Sequence, residues 1–250
     1  MTDSKTFSHV ANFTGYMGIA LDYLAAAKDI RRVLDLPAGN GLLTDALRQA
    51  GKEVVSGDIN RERPEYRYVN MDDPLSFADD EFDGLVCLEG VEHLANPVAY
   101  IAEITRVVRP GGMIVVSTPN VMNVYSRLQY LFTGTLYQFN PAAVPPVAPG
   151  EAADRGHVFP LSYFQLRYLF GQQGADVEAV LGDKYKRKAL IPLALLFSPI
   201  AWWWSRRLFT RDADSRCEDR NGEMLAHSWS GALLFSRSLV LVLRKRLKPS

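Results

Sequence analysis

The run Val33-Leu34-Asp35-Leu36-Pro37-Ala38-Gly39-Asn40-Gly41 carries an apolar segment into a turn with two glycines one residue apart. Gly39 and Gly41 have no Cβ, so the backbone can turn sharply there and approach a ligand closely. Asp35, just ahead of the turn, can accept hydrogen bonds from an ammonium group or order the loop itself. A Gly-x-Gly alone also occurs in turns that merely join a strand to a helix. Asp58 adds weight: it stands about twenty residues later, where a carboxylate can take both hydroxyls of a ribose. Together they point to an adenosine-containing cofactor. Nicotinamide-dependent oxidoreductases use Gly-x-Gly-x-x-Gly at this place, but position 44 is threonine and position 37 is proline. The run that would cradle a pyrophosphate is therefore incomplete.

These side chains need strands that end together at one edge. Tyr16 to Lys28 has apolar residues at helical spacing, and Arg31 to Leu36 is a short apolar run closed by the Pro/Gly turn. Leu42 to Ala50 resumes the helical period and stops at Gly51; Glu53 to Gly57 is a second strand, which completes a strand-helix-strand unit by Asp58. Tyr66 to Asn70 and Phe82 to Leu88 read as the third and fourth strands. Asn96 caps, and Pro97 opens, a helix through Val108 that Pro110-Gly111-Gly112 stops. Met113 to Ser117 is a fifth strand, apolar on both faces as in a parallel sheet covered on two sides. This alternation predicts a doubly wound, Rossmann-like α/β fold.

After Pro119 the aromatic and proline-rich stretch 119–160 shows little regular period and reads as an inserted lid or acceptor loop. Ser162 caps a helix to Gln173, Ala175 to Leu181 is a strand, and Ala232 to Lys245 reads as a final strand. Between these last two lies a second insertion, residues 182–231. Residues 1–250 are read as one elaborated domain, with no internal repeat.

Jointly, the turn at Val33 to Gly41, Asp58, Asn70-Met71-Asp72-Asp73, Phe82-Asp83, Cys87-Leu88-Glu89-Gly90-Val91-Glu92-His93 and Val108-Arg109-Pro110-Gly111-Gly112 resemble the class I S-adenosylmethionine-dependent methyltransferases. The resemblance covers roughly residues 15 to 181 and takes Ala232 to Lys245 as the family's closing strand. It implies a seven-stranded, mostly parallel sheet with an antiparallel last strand, and S-adenosylmethionine as cofactor. It also implies Asp58 on the ribose, Asn70 near the adenine amine, the Met71 backbone beside the ring, and Leu88 with its neighbours along the methionine part. Two positions depart from the family pattern: Pro37 stands where glycine is usual, and Asn70 where aspartate is. Proline has no amide hydrogen to donate; an asparagine carbonyl still accepts a hydrogen bond, and Asp72 is a nearby substitute. These departures are what favour the alternative of a cofactor-binding but catalytically silent partner protein.

Methyl transfer is an in-line displacement at an activated carbon, so alignment and exclusion of water come first. A hydroxyl acceptor also needs a base, and histidine suits that task near neutral pH. Of His9, His93, His157 and His227, two stand out. His93 follows Glu92 after the fourth strand, as a brace or a base. His157, in Arg155-Gly156-His157-Val158-Phe159, closes the first insertion, where relatives acting on sugar or quinone-like hydroxyls also tend to place a histidine. A structural histidine explains it as readily. The catalytic candidates are thus His157, His93 and Glu92. Cys87 and Cys217 have no metal-ligand spacing, and no metal site is expected.

The 28 basic and 28 acidic residues cancel, so no global positive field exists to hold nucleic acid. The amino terminus shows no secretory signal, and a cytoplasmic setting is expected. Ala189 to Trp204 is an apolar run broken by Pro192 and Pro199 and flanked by basic residues across 184–211. Tryptophan prefers membrane interfaces and clustered cations prefer anionic headgroups, so contact with the inner membrane face stands beside a buried helical pair or dimer contact. Arg127 to Gly134 resembles segments of methyltransferases from bacterial surface-polysaccharide pathways. The acceptor expected is a small-molecule or lipid-linked hydroxyl, with a sugar hydroxyl favoured.

Overall fold

The computed structural model describes residues 10–60, 62–141, 156–211 and 218–247. Its first half builds helix α1 (Gly15–Ala26), β1 (Arg32–Asp35), α2 (Leu42–Gln49), β2 (Glu53–Asp58), β3 (Arg67–Tyr68) and β4 (Phe82–Leu88). Helix α3 (Pro97–Val107) follows, then β5 (Val108–Pro119), α4 (Val124–Thr133), α5 (Tyr163–Gln172) and β6 (Ala175–Gly182). The remainder is α6 (Ile191–Arg211), α7 (Glu218–Ser228), α8 (Gly231–Phe235) and β7 (Ser238–Lys245). The seven strands form one sheet in the order β3-β2-β1-β4-β5-β7-β6. Strands β1 to β5 run parallel, and β7 runs antiparallel between β5 and β6.

Both sheet faces are apolar because both are covered. Leu34, Leu85, Cys87, Ile114 and Val116 pack with Ile101 and Ile104 of α3 and Leu166 and Phe170 of α5. Their strand neighbours Val33, Val86, Met113 and Val115 point the other way, against Ala20 and Leu24 of α1 and Leu43 and Leu47 of α2. The two-residue period of a strand thus feeds two cores. The helix starts follow their caps: the Asn96 side chain accepts from Ala99 N at 3.1 Å ahead of α3. Ser162 and Gln165 form a reciprocal capping box at the start of α5.

Three expectations change. Within 119–160, read above as lacking regular period, residues 124–133 form α4: Asn123 caps it by accepting from Ser126 N at 2.8 Å, and Gly134 ends it in the left-handed region at φ 68°. The final strand starts at Ser238, not Ala232, because residues 231–235 coil into α8. Ser230 caps that helix, and the Asn120 amide donates to the carbonyls of Ala232, Leu233 and Ser236 at 3.1–3.2 Å. The run broken by prolines is one continuous helix, α6. Pro199 cannot donate to the Leu195 carbonyl, and the Ser198 hydroxyl does so instead at 2.8 Å. Among the described residues no helix is long and apolar enough to cross a membrane.

The sheet order reverses direction between β1 and β4. Beyond the carboxyl ends of these strands, loops diverge and leave a crevice.

Candidate functional site

The crevice is a cavity of about 350 Å³. Asp35, Gly39, Asp58, Asn70, Met71, Leu88, His93 and His157, all singled out in the sequence, line it together. Gly41 and Glu92 stand directly behind the wall rather than in it. His227 lies elsewhere, its Nδ1 2.7 Å from the Tyr163 hydroxyl. His9 and Cys217 fall outside the described residues.

The turn after β1 is held by its own backbone. Ala38 N donates to Gly57 O, and Gly41 N to Ala38 O, each at 2.9 Å. Gly39 N donates to Asp58 Oδ2 at 2.8 Å, and Asn60 N to Asp58 Oδ1 at 2.9 Å. The proline at 37 therefore removes no bond that shapes the turn. Its ring instead fills the space above Gly90, where a Cβ would come within 2.7 Å of Pro37 Cδ. Gly39 and Gly41 have φ of 55° and 80°, a region costly for any side chain. A Cβ on Gly41 would also strike the Arg63 guanidinium and the Tyr66 hydroxyl. Arg63 is fixed there by two 2.8 Å bonds to Asp45.

Two carboxyls gather at this edge with shifted proton affinities. Burial pushes Asp35 up to about 7, opposed by the bond it accepts from Thr44 Oγ1 at 2.6 Å. Asp35 thus ties the end of β1 to helix α2. Burial also raises Asp58, against the amides that favour its charge. Asn70 uses its side-chain oxygen on Asp72 N at 3.2 Å and its amide on Asp73 at 2.9 Å.

At the opposite end of the cavity, His157 Nδ1 is 2.9 Å from Gln138 O. A carbonyl can only accept, so Nδ1 carries the hydrogen, and in the neutral ring Nε2 holds the lone pair. That Nε2 lies 4.0 Å from Glu92 Oε1, and the rings of His93 and His157 meet edge to face with centroids 4.8 Å apart. Glu92 is fully buried; its Oε2 accepts from Thr118 at 3.1 Å, while Oε1 has no hydrogen-bond partner. Burial first, and the neighbouring Glu89 second, hold the Glu92 carboxyl well above the usual range. One ligand atom from each of Glu92, His93 and His157 lies within 4.8 Å of the others, a trio able to hold a cation where the sequence suggested no metal.

Sequence reasoning missed part of the wall, Tyr16 and Met17 of α1 and Arg237, and it gave Glu89 only as a neighbour of Leu88. Glu89 has positive φ (49°) and ties three strand ends together. It accepts from Ser117 Oγ at 2.8 Å and Ser238 Oγ at 3.3 Å, and burial lifts it to about 7.

A family model described as a methyltransferase domain matches residues 9–180. A ubiquinone biosynthesis O-methyltransferase of Xanthomonas oryzae pv. oryzae is 30% identical over 118 residues, which span 41% of this chain and 49% of that protein. One of the same name from Dechloromonas aromatica is 31% identical over 104 residues, 36% of this chain and 45% of that one. The chain thus aligns with about half the length of these relatives. In fold it is similar to an S-adenosylmethionine-dependent methyltransferase of Archaeoglobus fulgidus, with TM-score 0.56, 16% identity and 92% of both chains covered. It is also similar to a cyclase, with TM-score 0.52, 14% identity, and 94% of this chain and 81% of that one covered. A shared fold alone therefore leaves the reaction open.

Proposed function

The chain belongs to the S-adenosylmethionine-dependent methyltransferases, and on that premise we propose that it methylates the hydroxyl oxygen of a small acceptor, a sugar or a lipid-linked molecule. The observation that carries this reading is a single cavity with a ribose-type carboxylate, Asp58, at one end and a histidine lone pair, on His157, at the other. Relatives named for O-methylation favour oxygen as the acceptor atom; aligned over half their length, they favour no particular acceptor.

The residues present fit the cofactor: the glycines at positive φ leave room for it, and Asp58 is an acceptor already fixed by two amides. When bound, S-adenosylmethionine supplies a methyl carbon made electrophilic by its sulfonium. In this reading Asp58 takes the ribose hydroxyls. Asn70 and Met71 stand beside the adenine and Leu88 beside the methionine chain. Asp35, poised near 7, ionises next to the ammonium group and holds it.

His157 Nε2 would take the acceptor's proton as that oxygen gains the methyl group the bound cofactor supplies. The imidazolium so formed lies 4.0 Å from Glu92, which favours the charged carboxylate at that moment and steadies the base. His93 packs on the His157 ring and limits its rotation. His157, from the described part of the insertion, stands in the cavity wall, where exclusion of water favours the transfer.

The test is the release of S-adenosylhomocysteine with a panel of phenolic and sugar hydroxyls. His157→Ala is expected to lower turnover by about 10²- to 10³-fold while S-adenosylmethionine affinity is kept. Unchanged turnover in that variant would remove His157 from the mechanism.

A further inference from the structure

Helix α6 is the least covered helix among the described residues. Its partly buried positions, Ile191, Ala194, Ser198, Ser205 and Phe209, make one narrow stripe. Along that side Trp202 meets Trp229 and Phe209 meets Phe164, with ring centroids 5.3 and 5.7 Å apart. The rest of the helix, about 31 Å long at 1.5 Å per residue, turns outward. Leu196 is 71% exposed, Ile200 67% and Trp204 68%. A soluble monomer seldom leaves so large a contiguous apolar face uncovered.

The charge around this face is one-sided. Residues 184–211 hold seven basic side chains and no acidic one. Lys184, Lys186 and Lys188 are exposed at one end of the helix, and Arg206 and Arg207 near the other. A second apolar tip lies at the end of α4, where Leu131 and Phe132 are 72% and 81% exposed. The bases of α4 and α6 are joined, since the Arg187 guanidinium lies 3.3 Å from the centroid of the Tyr125 ring. Both elements leave the sheet at the edge where the cofactor cavity opens. Strand β5 ends at Pro119 beside Ser238, and β6 ends at Gly182 beside Leu239.

We propose that α6, with the exposed end of α4, is a docking surface for an anionic phospholipid bilayer, and that α6 lies in the plane of the interface. Tryptophan rings and aliphatic side chains suit the boundary between headgroups and acyl chains, and the flanking cations suit anionic headgroups. A second copy of the chain is the poorer occupant. A two-fold contact along α6 would bring two cationic stretches together with no acidic residue of α6 between them. The docking surface and the cavity share one edge of the sheet, so an acceptor carried on a lipid would approach His157 from that edge. The docking surface itself does not depend on the methyl-transfer reading.

The test is flotation of the full chain with phosphatidylcholine vesicles and with vesicles containing about one third phosphatidylglycerol. The chain is expected to float with the anionic vesicles alone, with a blue shift of tryptophan emission. Trp203→Ser/Trp204→Ser and Arg206→Glu/Arg207→Glu are each expected to weaken this binding at least about tenfold. Their S-adenosylmethionine affinity and melting temperature should stay as in the parent, so a failure here is distinct from a failure of the site. The proposal is overturned if the parent ignores anionic vesicles, binds neutral ones equally, or floats as well with the substitutions as without them. It is equally overturned if light scattering finds a stable dimer that Trp203→Ser/Trp204→Ser dissociates.

Discussion

The turn after β1 and helix α6 emerge at the same edge of the sheet, yet they are built on opposite principles. In the turn, the Ala38, Gly39 and Gly41 amides all have partners inside the protein, and the two glycines sit where a side chain would be strained. In α6 the backbone is equally regular, but Leu196, Trp203 and Trp204 are left without cover. The first region is defined by what fits within it, down to single atoms. The second is defined by what its surface attracts, and many side chains would serve. Substitutions should therefore be punished in the turn and tolerated in α6, except where lipid is present.

The largest effect is expected at Asp58. Asp58→Ala removes the acceptor of Gly39 N and Asn60 N and the partner assigned to the ribose. With two bonds to a charged group lost, S-adenosylmethionine affinity should fall at least about a hundredfold by titration calorimetry. Parent-like affinity would move the ribose to another residue.

Gly41→Ala sharpens the contrast directly. The left-handed conformation and displacement of Arg63 from its bonds with Asp45 should together cost about 2–4 kcal/mol in chemical denaturation. Trp203→Ser, on the exposed face, should stay within about 0.5 kcal/mol. Equal costs would erase the distinction between the two regions.

A smaller effect is expected from Glu92→Gln. The folded protein holds Glu92 protonated well above the ordinary 4.5, whereas the unfolded chain releases that proton near 4.5. The unfolded state therefore binds fewer protons above that pH, and stability falls as pH rises from there toward the folded value. Glutamine keeps the uncharged form, so the decline in melting temperature from pH 5 to pH 8 should become shallower by a few degrees. Asp35 and Glu89, both near 7, keep the remainder of the slope. Identical slopes would mean that Glu92 is ionised in the folded protein.

The two regions also differ in how far the sequence foretold them. The turn and Asp58 were legible because glycine spacing and strand ends are local, and the cofactor reading joined them to the later motifs between Asn70 and Gly112. Helix α4 was equally local, with Asn123 and Ser126 forming its cap and Gly134 its stop, but its aromatic content hid the period. The stretch 231–245 was not decidable by pattern, since a short apolar run fits a buried helix as well as a strand. Only Ser230 hinted at α8. Helix α6 read as broken because Pro192 and Pro199 interrupt its apolar run, and the Ser198 hydroxyl that completes the Leu195 carbonyl is visible only in three dimensions. Tyr16 and Arg237 reached the cavity wall from elements distant in sequence from the glycine turn and Asp58. Arg237 in particular arrives because β7 runs backward and starts at the cofactor edge.

The central claim is that the cavity between β1 and β4 holds S-adenosylmethionine, with Asp58 on its ribose. Calorimetry of the parent chain with S-adenosylmethionine and, separately, with NAD tests it most directly. Saturable one-to-one binding of S-adenosylmethionine and no heat with NAD is the expected result. Tight NAD binding with no response to S-adenosylmethionine or S-adenosylhomocysteine would contradict it.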